Sequence, residues 1–262
     1  FACIIIFISA VAAFGPLLPI QDPLKANFDH LQESPSRAHW FGTDWLGRDL
    51  FAQVIHGART SLTVGVGAVL LGSAAGLVWG VLSGFAGGKV DLISQRIIEV
   101  LMSFPAIILA LSISAVLQGG ILTVIVAIAA TRVGQTARLI RGVTLSAMPN
   151  PYVDAARSIG ATWHRIALRY VTPSVIAPFL VIATAHLGGG ILAEATLGFL
   201  GVGVPPPTPS WGATLAGSLT LAPPPWWLAV IPGMIITLLV LAFNLAGDGL
   251  RDVLDPRLRG IK

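Results

Sequence analysis

TSLTVGVGAVLLGSAAGLVWGVLSGFAGG, residues 60–88, contains no Asp, Glu, Lys or Arg. A helix that crosses a bilayer needs about 20 consecutive, mostly apolar residues. This window supplies them, and the sequence predicts a spanning helix over Ser61–Ala86. The same reading extends outward in both directions. Residues 1–21, 100–131, 170–193 and 195–247 are also free of those four residue types. They predict spans near Phe1–Ile20, Ile97–Leu117, Ile121–Ile140, Ser174–Ala195 and Trp226–Ala246, with a break at Gln118-Gly119-Gly120. The expected fold class is an all-α membrane protein of about six transmembrane helices. Its expected layout is a first helix (1–20), an extracytoplasmic cap (21–60) and a core (61–262) with five helices.

Composition agrees. The 262 residues are 55% hydrophobic and 11% charged, and the mean hydropathy is +0.83. Soluble domains carry about 25% charged residues, so this chain has too little polar surface to cover a globule in water. A single cysteine, Cys3, excludes an internal disulfide and any CxxC metal site. The net charge of +4 does not point to nucleic acid, because basic residues of membrane proteins collect in cytosolic loops. Residues 1–15 admit a signal-peptide reading through Ala10-Val11-Ala12. Five further spans favour a true first helix, and the missing initiator Met and basic n-region suggest a trimmed start.

Orientation follows from Lys and Arg. Segments 87–96, 141–173 and 247–262 carry Lys89, Arg96, Arg141, Arg157, Arg165, Arg169, Arg251, Arg257, Arg259 and Lys262. Arg132 and Arg138 can snorkel toward the same side. On the other side, Lys25, Arg37, Arg48 and Arg59 are outnumbered by Asp22, Asp29, Glu33, Asp44 and Asp49. The positive-inside rule places the basic segments and the C-terminus in the cytosol, with 21–60 and 196–225 outside.

Four stretches carry more than topology. Segment 21–60, with Trp40, Phe41 and Trp45, is too long for a plain connector. Its histidines, His30, His39 and His56, match no zinc spacing, and a structural role is expected for them. Gly72, Gly76, Gly80 and Gly84 share one helix face, where small residues admit another backbone; the neighbour is either in this chain or in a partner. His186 precedes Gly188-Gly189-Gly190 in the fifth span. Glycines there weaken the helix, and an intramembrane histidine is a functional candidate, so His186, Gly188, Gly189, Gly190 and Glu194 are candidate pathway residues. Glu194 is also readable as interfacial. Finally, Asn150 is a fitting N-cap and Pro151 a fitting first helical residue. A helix Pro151–Ile159, a left-handed Gly160 and a second helix Trp163–Val171 would form a knob on the cytosolic face.

That knob carries a resemblance. Asp154-Ala155-Ala156, Gly160 four residues later and Pro173 thirteen after that resemble the EAA motif of ABC importer permeases. Asp154 replaces the usual Glu, and Thr172 the usual Leu. His39-Trp40-Phe41-Gly42-Thr43-Asp44 with Gly47-Arg48-Asp49, Gly57-Ala58-Arg59-Thr60-Ser61-Leu62, Gly198-Phe199-Leu200-Gly201 with Pro206-Pro207-Thr208-Pro209 and Ser210-Trp211-Gly212, and Asn244 through Asp252 with Leu254-Asp255-Pro256-Arg257 resemble the "C" subunits of dipeptide/oligopeptide permeases. The resemblance implies a type I ABC importer permease fold in the inner membrane of a prokaryote. It implies a second homologous permease, two cytosolic ATPase subunits, an extracytoplasmic substrate-binding protein and surrounding lipid as partners, with no nucleic acid and no cofactor. It also implies that Asp154, Ala155, Ala156, Gly160 and Pro173 form the ATPase-coupling segment, within 150–173. The chain has no G-x-x-x-x-G-K-[ST] phosphate loop, so no ATPase activity of its own is expected. The implied cargo is di- or oligopeptides, with glutathione or nickel complexes as alternatives. An ion channel would need a filter or charge rings, and a membrane-embedded enzyme would need convergent titratable groups. The spans show neither pattern.

Overall fold

The computed structural model describes residues 2–117, 119–220 and 223–254. Gln118 and the C-terminal motif from Asp255 onward, with Arg257, Arg259 and Lys262, lie outside the described residues. Among the described residues ten α-helices run in order: α1 Ala2–Phe14, α2 Leu50–Ala86, α3 Gly88–Ser103, α4 Ala106–Leu117, α5 Ile121–Ala147, α6 Pro151–Ser158, α7 Trp163–Ile166, α8 Thr172–Phe199, α9 Trp211–Ala216 and α10 Trp226–Leu254. A π-helical turn, Ala167–Val171, joins α7 to α8. No strand occurs among the described residues.

Four of the described helices are long and apolar enough to cross a membrane: α2, α5, the continuous run Trp163–Phe199, and α10. α3 and α4 together would make a fifth span, but they are bent by 89°. The straight third span expected over Ile97–Leu117 is therefore replaced by two pieces. The break falls at Phe104-Pro105: proline lacks the N–H that would continue the helix, and it pushes the residue before it toward extended backbone. Phe104 indeed adopts φ −82° and ψ 135°. The first apolar helix spans 13 residues, Ala2–Phe14, fewer than the about 20 that cross a bilayer.

α2 also departs from expectation. Asp49 caps it, accepting from the Ala52 N–H at 2.8 Å, so the helix starts at Leu50 and not at Ser61. Its 37 residues reach about 55 Å at 1.5 Å per residue, well past a ~30 Å hydrocarbon core. Its N-terminal turns therefore support segment 21–49. There Asp44 accepts from Arg48 Nε at 2.7 Å and from Gln53 Nε2 at 2.9 Å, tying the segment to α2.

The glycine stripe of α2 finds its neighbour inside this chain. A β-carbon at Gly76 would stand 2.6 Å from Thr136 Cβ, one at Gly80 2.6 Å from Ala137 O, and one at Gly84 2.9 Å from Thr144 Cβ. All three neighbours belong to α5, so the glycines let the two backbones approach closely. Toward the C-terminal ends of both helices, Asp91 of α3 takes a bidentate pair of bonds from Arg141 of α5, from Nε and Nη2 at 2.5 Å each, and one from the Ser83 hydroxyl of α2 at 2.6 Å. α3 is thus pinned along the C-terminal ends of α2 and α5, while its Val90, Ile93, Ile97 and Val100 are exposed.

Candidate coupling knob and membrane-depth site

The knob forms where the sequence places it. α6 runs Pro151–Ser158, and Gly160 has φ +77°. That region suits glycine because no β-carbon crowds the carbonyl. Asn150 occupies the N-cap position without a side-chain cap; its Nδ2 donates to Ala147 O at 2.9 Å, which holds the turn between α5 and α6. Val153 and Ala156 pack with Val81, Ile140, Ala147, Ile166, Val171 and Val175 in one core cluster.

Of the five candidate coupling residues, the structure splits the set. Ala156 is buried in this chain, so its small side chain serves internal packing. Asp154 and Ala155 are exposed, and Asp154 accepts from Arg157 Nη1 at 3.3 Å. Gly160 has no atom within 4 Å of where a side chain would begin. Pro173 is exposed in the first turn of α8. The exposed face of the knob also carries Tyr152, Ile159 and Trp163, with Ile159 78% exposed. Tyr152, Ala155 and Ile159 are spaced i, i+3, i+7, a helical stripe, which is the signal that points to the two large side chains the motif alone does not mark.

At membrane depth the three glycines of α8 face three different neighbours. A β-carbon at Gly188 would lie 3.1 Å from Val240 O of α10, one at Gly190 2.8 Å from Gly65 O of α2, and one at Gly189 2.9 Å from Arg132 Nη2 of α5. α8 is therefore the central helix, and consecutive glycines let it be approached on three sides. Gly190 is a packing position; a β-carbon at Gly188 would also meet Asn244 Oδ1 of α10 at 2.5 Å, and Gly189 is the one of the three that faces a charged group. Arg132 does not reach out of the bundle as a snorkelling residue would. It turns across to α8 beside His186. Its Nε and His186 Nδ1 are buried without hydrogen-bond partners, and among the described residues no carboxylate pairs with it. A cavity of about 240 Å³ between α4, α5 and α8 is lined by Ile107, Thr131, Arg132, Gly189, Leu192 and Thr196.

Glu194 does not line that cavity. It is fully buried and faces the hydroxyls of Ser61 and Ser210, though neither carboxyl oxygen makes a hydrogen bond of normal geometry. Each serine accepts from a backbone N–H, Ser61 from Trp211 at 3.1 Å and Ser210 from Ala213 at 3.3 Å. Their O–H groups are thus free to turn toward Glu194. Trp211 Nε1 donates to Val54 O at 2.9 Å. The cluster ties residues 210–213 to α2 and α8.

A bundle of apolar helices, a central helix facing a buried arginine, and a short helix exposed on one end define a membrane-embedded transport subunit. The comparisons specify it. Residues 76–260 match the family described as "Binding-protein-dependent transport system inner membrane component". The chain belongs to that family and is the permease component of an ABC importer. Glutathione transport system permease protein GsiD of Escherichia coli O157:H7 is 43% identical over 263 residues, covering 99% of this chain and 86% of that protein. The GsiD of Shigella sonnei (strain Ss046) matches with the same identity and coverage. Among solved structures, an inward-facing form of the MetNI methionine ABC transporter superposes with TM-score 0.66 at 20% identity, covering 79% of this chain and 98% of that one. An amino acid ABC transporter crystallised with histidines gives TM-score 0.58 at 19% identity, covering 77% and 92%. At such identities these two speak for the fold alone, that of type I ABC importer permeases.

Proposed function

We propose that this chain is the permease of an importer of peptides or peptide-like solutes, glutathione foremost. The observation that carries the reading is the 43% identity to a glutathione transport permease along 99% of this chain. In this reading the chain pairs with a second homologous permease, and an extracytoplasmic binding protein delivers cargo to the outer face. Two cytosolic ATPases dock below, and this chain contributes no ATPase site. The basic segments 87–96 and 141–173 and the C-terminus face the cytosol. The exposed face of α6, with Tyr152, Asp154, Ala155 and Ile159, is the surface that takes up ATPase motion, and Gly160 and Pro173 set the angles through which it passes to α8. The Arg132–Gly189 cavity lies on the pathway, with His186 beside it. A lone guanidinium at membrane depth calls for an anionic partner, which suits a cargo bearing carboxylates.

The test is uptake. A strain lacking this permease is given labelled glutathione, a dipeptide, an oligopeptide or a nickel complex. The reading expects uptake of glutathione or peptide to fall to background and to return with the gene. Loss of nickel uptake alone would move the assignment to the nickel-complex alternative.

A further inference from the structure

We propose that the outer segment binds a late first-row divalent cation, best fitted by Zn²⁺, through His30, Glu33 and His39. In sequence the three are spaced i, i+3 and i+9, which matches no common zinc pattern. The fold brings them together. Asn27 accepts from the Asp29 N–H and opens the 3-10 turn Phe28–His30. Gln32 then adopts φ +53°, the only positive φ among the described non-glycine residues. Such backbone is uncommon outside glycine and is a pointer to function when the surroundings hold it. Here they do: the Thr43 hydroxyl accepts from Glu33 N at 2.8 Å and donates to His30 O at 2.6 Å. The turn brings His30 Nδ1 to 2.7 Å from Glu33 Oε1.

His39 completes the set. Its ring centroid lies 5.4 Å from that of His30. Its Nδ1 is engaged by Asp49 Oδ2 at 2.9 Å, which leaves Nε2 as the ligand nitrogen. A carboxylate behind a histidine in this way orients the ring and raises its basicity toward a metal. Asp49 is itself immobilised by capping α2. One donor atom from each of His30, Glu33 and His39 lies within 4.8 Å of the others. Tetrahedral zinc at about 2.0–2.1 Å from its ligands has edges of about 3.4 Å, so no separation in the set has to close by more than about 1.4 Å. His39 is buried and fixed, whereas the side chains of His30 and Glu33 are 43% and 41% exposed and have room to rotate. Two imidazoles and one carboxylate suit Zn²⁺ and its neighbours, whereas Ca²⁺ and Mg²⁺ require shells of oxygen. A fourth position stays open to solvent or to a docking partner. The competing account is two independent pairs, His30–Glu33 and His39–Asp49, that only brace the segment.

The full chain, purified in detergent and stripped with EDTA, is titrated with Zn²⁺ against a chromophoric chelator and, separately, with Co²⁺. One Zn²⁺ per chain is expected, together with the visible bands of tetrahedral Co²⁺. His30→Ala and Glu33→Gln should each weaken Zn²⁺ at least about tenfold, and His56→Ala should leave it unchanged. Absence of saturable binding or of tetrahedral Co²⁺ bands in the wild type overturns the site without recourse to any variant. Binding that persists unaltered in both His30→Ala and Glu33→Gln overturns it in favour of the two bracing pairs.

Discussion

Gly160 stands at φ +77° with open space where a side chain would begin, so nothing but backbone strain opposes its replacement. A β-branched residue there costs on the order of 1–2 kcal/mol or more, which the chain can relieve by re-aiming α7. Gly160→Val should insert and assemble normally, yet lower both transport and binding-protein-stimulated ATP hydrolysis of the assembled complex. Normal coupling in that variant would remove Gly160 from the coupling path. The neighbouring alanines separate docking from folding. Ala155→Asp adds a charge on the exposed face and should impair coupling with assembly intact. Ala156→Asp buries a charge in the chain's own core, which costs several kcal/mol, and should cut the yield of folded protein. Equal folding yields for the two would contradict the burial pattern. At membrane depth, Gly189→Leu has to displace the Arg132 guanidinium, whereas Arg132→Gln removes it. Both should reduce uptake of glutathione several-fold while the detergent-purified complex stays whole. If Arg132→Gln instead abolishes pairing with the second permease, the arginine's counter-charge belongs to that partner and not to cargo. The sequence marks Gly160 by its place after a Pro-led helix. It does not mark Arg132, because a lone arginine in an apolar window reads the same whether it snorkels or turns inward.

At the scale of elements, the α2–α5 pair is the spine on which the rest is hung. Gly76 and Gly80 stand where a side chain would meet α5 backbone and β-carbons within 3 Å, and helix backbones cannot yield as a flexible side chain can. Gly76→Leu is therefore expected to separate the helices. Overpacking of this kind costs about 1–3 kcal/mol, read as a lower unfolding midpoint and a lower yield of monodisperse protein. Leu at Gly67, whose side-chain position meets only the far end of Ile125 at 3.4 Å, is the tolerant control. A Gly76→Leu variant as stable as that control would show that the stripe is not an interface. The four-residue glycine spacing was legible because one face of a helix repeats every three to four residues. Which helix that face meets was not, because the stripe specifies close approach and α5 shows no complementary motif of its own. The 89° break between α3 and α4 was legible in principle from Pro105, but charge-free windows alone run straight through it.

For the whole molecule, topology is the property on which each functional assignment depends. In a Cys3→Ser background, Ala161→Cys should be shielded from membrane-impermeant maleimide in intact cells and label only after permeabilisation. Ser34→Cys should label in intact cells. External labelling at position 161 would invert the protein and place the knob on the wrong side for an ATPase. Four described helices are long and apolar enough for full crossings, and the remaining apolar residues of the expected first and third spans are divided between a short helix and a bent pair.

The membrane character, the outline of the spans, the helical knob with its left-handed glycine and the family resemblance all followed from the sequence alone. They rest on local quantities: hydropathy summed over a window, charge bias across loops, and the backbone preferences of proline and glycine at helix ends. The partner of the glycine stripe, the separation of Ala156 from Ala155, the inward turn of Arg132 onto Gly189, the burial of Glu194 between two serines and the meeting of His30, Glu33 and His39 were decided by tertiary structure. Each of these depends on which distant residues share a point in space, and residues 57 positions apart, as Arg132 and Gly189 are, leave no periodic trace of that proximity in the chain itself.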